Sequence, residues 1–370
     1  MADNFKMPQI WKNTLAVDYR LPVSFPLTLT VEGMYNKDIY NVVMRNWNIV
    51  NNGNLSRFAG PDNRLDYSTS TTGNYLVDKN VTGGAVILDN DTRGYSASFN
   101  TMVTAEPIKD LNLMFSYTHQ WAKEITGLPG NQAYSTWQGL YAVDGPNNAE
   151  LHNAQYLTPD KLIASLTYRK DYGKYFATSV GLYYAAYSSG MYNYYYSNDM
   201  NGDKVSFDLM YIPRTKDELK FVDKNGFTAA EQAEAFWRFV EQDKYLSAHK
   251  GEYAEAYGAA LPWVHRFDLK VTQDFRLRAG KAIHTLQLSF DILNVGNLLK
   301  SSWGVTQTTS PSNYGKILRY EGKDANGVPT YSMGYNTVNK QKQLYSRTYE
   351  PYRNSSNCWQ MQIGLRYIFN

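Results

Sequence analysis

What most restricts the folds open to this chain is the spacing between its amphipathic segments. Nine stretches alternate apolar and polar residues with a period of two, as a strand does when one of its faces meets an apolar medium. In the clearest, Phe267, Leu269, Val271, Phe275 and Leu277 take one face, while Arg266, Asp268, Lys270, Thr272, Asp274 and Arg276 take the other. The remaining eight lie at 15–21, 27–35, 95–103, 111–121, 162–168, 176–184, 286–292 and 359–369. The links at 22–26, 106–110, 171–173 and 279–282 are only three to five residues long, and between them come connections of roughly 40 to 75 residues. A sandwich or propeller has no reason to alternate short with long. A transmembrane barrel does, because periplasmic turns are short, extracellular loops are long, and strands of about ten residues alternate between lipid and lumen.

Composition agrees with this and closes off other classes. With 43% hydrophobic residues, 19% charged residues and a mean hydropathy of −0.51, the chain has no run near the roughly 18 apolar residues that a spanning helix needs. Aromatics reach 15%, 32 of them tyrosine, as suits strands. A net charge of +3 with scattered Lys and Arg gives no footprint for nucleic acid. The single cysteine, Cys358, excludes an internal disulfide framework and any multi-cysteine metal site, and no motif asks for a cofactor.

The direction of the strands carries a further expectation. If the short links are periplasmic, the first strand runs inward and residue 1 lies at the extracellular rim. The first twelve residues also lack a signal peptide's basic start and apolar stretch. Nine strands are odd, whereas bacterial barrels close with an even number. The expected fold is therefore all-β: a transmembrane antiparallel barrel of which residues 1–370 form the C-terminal part. A hairpin at 316–333 either belongs to a loop or adds two strands.

Three stretches, WQMQIGLRYIF at 359–369, DILNVGNLLKSSWG at 291–304 and PWVHRFDLKVTQDF at 262–275, together resemble the C-terminal half of TonB-dependent outer-membrane receptors. The similarity is greatest to the Oar-like group, whose members carry a carboxypeptidase-regulatory-like domain. YNYYYSNDMNGDKVSFDLMYIP at 192–213 is similar to the loop before a late strand in that group. The resemblance implies a full-length relative with a 22-stranded barrel, an N-terminal plug, and energy drawn from an inner-membrane complex through TonB.

Candidate sites follow from residue chemistry. Tyr192, Tyr194, Tyr195 and Tyr196 open the long connection at 188–262, and their flat faces and hydroxyls suit stacking on sugars, peptides or aromatic chelates. An ordinary aromatic girdle is the alternative for them. Arg266, Asp268, Lys270 and Arg276 are the expected lumen lining. In the same connection Thr228 and Glu231 form a capping box, and Ala233, Phe236, Trp237 and Val240 form an apolar stripe, which predicts a helix near 228–246. Asp199, Asn201 and Asp203 have the alternate spacing of a calcium loop, but Met210 stands where the bidentate Glu belongs. No histidine has a metal-binding spacing, and His152 and His249 have no partner for catalysis nearby in sequence. The expectation is a receptor and not an enzyme, set in outer-membrane lipid, binding and importing an extracellular small molecule, glycan or peptide. A structural or adhesive surface barrel and a soluble all-β carbohydrate-binding module are the rival readings.

Overall fold

In the computed structural model, which describes residues 1–49, 55–69, 76–78, 80–81, 84–310 and 314–369, the nine alternating stretches are nine long strands. They are β1 (Gln9–Arg20), β2 (Leu27–Asn46), β3 (Tyr95–Ile108), β4 (Leu111–Glu124), β5 (Asp160–Tyr172), β6 (Phe176–Ser188), β7 (Trp263–Ala279), β8 (Ala282–Leu293) and β9 (Gln360–Phe369). Each pairs antiparallel with the next along the chain, so the sheet is a continuous meander. Val86–Asp91 adds a further pairing on the far end of β2, and His152–Asn153 one on the end of β4.

The apolar pattern fixes the register, because a slip of one residue would turn every apolar side chain to the opposite face. Leu27, Ala105, Leu113, Leu166, Leu182, Leu269, Ile292 and Met361 are successive cross-strand partners, one apolar row running over eight strands. At one end the strands are joined tightly: β7 and β8 turn through Gly280, whose φ of +64° suits a residue without Cβ. At the other end the described residues of the connections 47–94, 125–159, 189–262 and 294–359 fold into a cap. Strands β1 and β9 each pair on one side only, and among the described residues nothing joins them, so the sheet is open.

The cap has the molecule's main hydrophobic core. Phe58 from the first long connection, Tyr196, Met210, Phe236 and Leu246 from the third, and Ile317, Tyr331 and Met333 from the fourth are all buried in one cluster. No residue of β1–β9 belongs to it. Among the described residues, four α-helices occur here: α1 (Ala133–Gln138), α2 (Ala229–Gln242), α3 (Lys244–Ala248) and α4 (Val295–Leu299). Thr228 caps α2 through the expected box, with Glu231 Oε2 accepting from the Thr228 amide at 2.7 Å. The expected helix is broken at Asp243, which leaves helical geometry and caps α3 by accepting from the amides of Tyr245 and Leu246. The hairpin Leu318–Lys323 with Pro329–Met333 pairs with Lys220–Phe221 inside the cap and leaves the strand count of the large sheet unchanged. Asn370 lies outside the described residues. Among them, no helix is long and apolar enough to cross a membrane.

Candidate functional site: the loop cap and the polar face below it

The four tyrosines lie inside the cap, where neither surface stacking nor a girdle would put them. Tyr194 and Tyr196 are essentially inaccessible, and Tyr192 and Tyr195 are buried as well. The reason is the interlocking of the loops, which supplies each ring with neighbours and the hydroxyls of Tyr192, Tyr194 and Tyr196 with hydrogen-bond partners. Tyr194 donates to Asp243 Oδ2 at 2.5 Å, and Thr348 donates to the same oxygen at 2.6 Å. Tyr192 exchanges hydrogen bonds with Tyr194 and with Tyr349. Tyr195 packs edge-on against Tyr141, 5.0 Å between centroids. Burial, aided by the Asp243 and Asp62 charges, holds the phenols of Tyr194 and Tyr196 well above their usual titration range.

Tyr196 belongs to a buried charged cluster that no local motif signals. Its hydroxyl donates to Asp62 Oδ2 at 2.7 Å, Tyr331 donates to the same oxygen at 3.1 Å, and the two rings stack 5.4 Å apart. Arg64, fully buried, binds Asp62 through Nε at 2.8 Å and donates to the Leu209 carbonyl at 2.6 Å. Burial works against its charge, but the Asp62 carboxylate, with Tyr196 and Asp208, more than offsets this and raises its proton affinity. The cluster ties the first long connection to the third and fourth.

The spacing of Asp199, Asn201 and Asp203 builds a turn. Asp199 accepts from the amides of Gly202 and Lys204, at 2.7 and 2.8 Å, and Asp203 from that of Val205, at 2.8 Å. Their oxygens are thus engaged by backbone donors. Among the described residues, no group of three or more His, Cys, Asp or Glu side chains is arranged to hold a metal ion.

Arg266, Asp268, Lys270 and Arg276 share one face of β7, as their alternation requires, and each has a partner. Arg266 binds Asp268 at 3.1 Å, Lys270 binds Asp291 at 2.7 Å, and Arg276 binds Asp171 at 2.8 Å. Arg169 and Gln287 meet at Asp274, at 2.9 and 2.8 Å. Asp291 comes from the adjacent β8, and Asp171 and Arg169 reach across β6 from β5, so the polar face is a charge-balanced lattice tying β5, β7 and β8 together.

Where the first three long connections converge, a cleft of about 310 Å³ opens beside the end of β4, lined among others by Arg57, Tyr141, Asp144, His152, Tyr253 and Glu255. Arg57 pairs with Asp144 at 2.9 Å, and Lys123 of β4 pairs with Glu255. The His152 ring sits between two carbonyl oxygens, that of Asn153 2.8 Å from Nδ1 and that of Ile125 3.1 Å from Nε2. Aromatic faces beside carboxylates and a guanidinium suit a small polar ligand with hydroxyl or cationic groups. This cleft had no signal in the sequence, since its walls come from three separate connections. No protein-family model, curated protein or solved structure matches the chain.

Proposed function

We propose that the chain forms part of the wall and outer mouth of a bacterial outer-membrane β-barrel of the TonB-dependent receptor type. Its cap captures an extracellular small polar ligand in the cleft between the first three long connections. In a full-length protein, the ligand passes inward along the lattice of Arg266, Asp268, Lys270 and Arg276.

One observation carries this reading: the main hydrophobic core lies wholly in the connections, while, among the described residues, most of the apolar rows of the sheet have nothing over them. Leu15, Leu277, Ile363, Leu365 and Phe369 are each 60% or more exposed. Left in water, each would forfeit about 1.5–3 kcal/mol of burial, together comparable to the roughly 5–15 kcal/mol of net stability of a whole domain. Lipid removes that deficit. A soluble module would cover this face instead.

The test is the solvent the folded chain requires. We expect refolding with native β-sheet circular dichroism in detergent or lipid and aggregation in plain buffer. A monodisperse folded species without detergent would overturn the reading. The cleft is tested next, by screening sugars, peptides and chelates against the folded chain and its Arg57→Ala variant.

A further inference from the structure

A second cavity, of about 410 Å³, lies on the apolar face at the cap end of β6 and β7. Its floor is an aromatic ladder across the two strands. Trp263 stacks on His265, His265 on Tyr184, and Tyr184 packs against Phe267 at 4.6 Å between centroids. The Tyr184 hydroxyl and His265 Nδ1 are hydrogen-bonded at 2.8 Å. Its roof is the start of the connection between β8 and β9, which folds back so that Gly296 and Trp303 stand over Phe267.

The overhang is held by buried asparagines. Asn297 donates to the carbonyls of Ser301 and Trp303, at 2.9 and 3.0 Å. Asn294 donates to those of Gly304 and Asn357, and its own amide donates to Asp268 Oδ1 at 2.7 Å. A polar network of this kind fixes one geometry. The groove is therefore preformed, and its size is that of a site for a small ligand. It opens onto the exposed apolar rows of the sheet, while Lys300 at the roof holds its ammonium 5.8 Å from the Trp303 ring.

We propose that this roofed groove binds the acyl chain of one phosphorylated lipid, with Lys300 set against the phosphate. Two things select this occupant. The groove is continuous with the face that the proposed function assigns to lipid, a reading on which this inference rests. The exposed Lys300, whose ammonium lies beside the roof residue Trp303, also complements an anionic headgroup, and aromatic rings with a lysine are the side chains suited to that depth.

The experiment folds the full chain into vesicles of equal parts phosphatidylcholine and phosphatidylglycerol, extracts it in mild detergent and weighs it intact by native mass spectrometry. We expect one retained lipid, with phosphatidylglycerol favoured about fivefold, the effect of one lysine near a headgroup. Trp303→Ala should lose the lipid by removing the roof. Gly296→Leu should lose it by filling the groove, where an added Cβ has its nearest neighbour at 3.7 Å. Lys300→Gln should keep a lipid but lose the preference. Circular dichroism reports folding, and the glycine variant stands if the tryptophan variant does not fold. An inserted chain without retained lipid, or equal retention in the unaltered chain and the folded groove variants, would overturn the site alone. A folded chain that stays in the aqueous fraction would overturn the membrane reading and the site with it.

Discussion

Tyr196 shows how much a single side chain contributes in the cap. It stacks on Tyr331, donates to Asp62 and lies 4.9 Å beneath the Arg64 guanidinium. Tyr196→Ala should cost about 3–5 kcal/mol, as large-to-small changes at buried aromatics do, read as faster proteolysis and a lower melting temperature of the cap. Tyr196→Phe keeps the ring but removes the bond to the charged acceptor Asp62, and with it the acceptor of the Tyr211 amide, and should cost about 1.5–3 kcal/mol. Asp203 offers a pH test. Burial, with the neighbouring Asp199 charge, pushes its carboxyl up to about 7, whereas in the unfolded chain it titrates near 4. A raised folded-state value means that the folded cap favours the protonated form. Its contribution to stability is thus full below about 4 and is lost as pH rises through about 7. Asp203→Asn, which cannot ionise, should gain on the unaltered chain in melting temperature between pH 5 and pH 8. A difference that stays constant across that range would contradict the shift.

At the level of the strand, the two faces of β8 differ in what they tolerate. Leu288 lies opposite Gln273 and Leu365 in the apolar rows, while Gln287 lies opposite Asp274 and Arg366 and donates to Asp274. Leu288→Arg should lower folded yield in lipid by about 2–4 kcal/mol, the cost of a cation near mid-membrane. Gln287→Arg should be milder, because Asp274 can accept the new cation. Equal damage from the two would invalidate the assignment of faces. The helical segment behaves differently from its pattern. The stripe of Phe236 and Val240 is buried in the core that three connections share, and Lys250 sits over Trp237, so the stripe is packing. Its length in the sequence missed the break at Asp243, whose side chain caps the next helix and gathers Tyr194 and Thr348.

For the molecule as a whole, the open sheet is the dominant fact. The outer backbone edges of β1 and β9 have no strand partner among the described residues, and their side chains are almost all exposed. In lipid each unsatisfied backbone group costs several kcal/mol, so the edges seek strands from outside the nine. We expect the isolated chain in detergent to associate through these edges, read as a mass above one chain by light scattering. A stable single-chain species would mean that the two edges meet each other.

Period-two alternation and the order of short and long links belong to the sequence, because side-chain direction in a strand depends only on position. They determined the nine strands, their neighbours, and the facing of Arg266, Asp268, Lys270 and Arg276. The capping box at Thr228 was legible for the same reason, being a contact between residues three apart. Only the tertiary structure decided that Tyr192, Tyr194, Tyr195 and Tyr196 are core, that Asp62 and Arg64 bind across the cap, and that three connections form the cleft. It also decided that Trp303 roofs a groove on β7. Each of these joins residues far apart in the chain, through irregular connections whose path no periodicity encodes. Their partners are fixed by how the loops pack on one another.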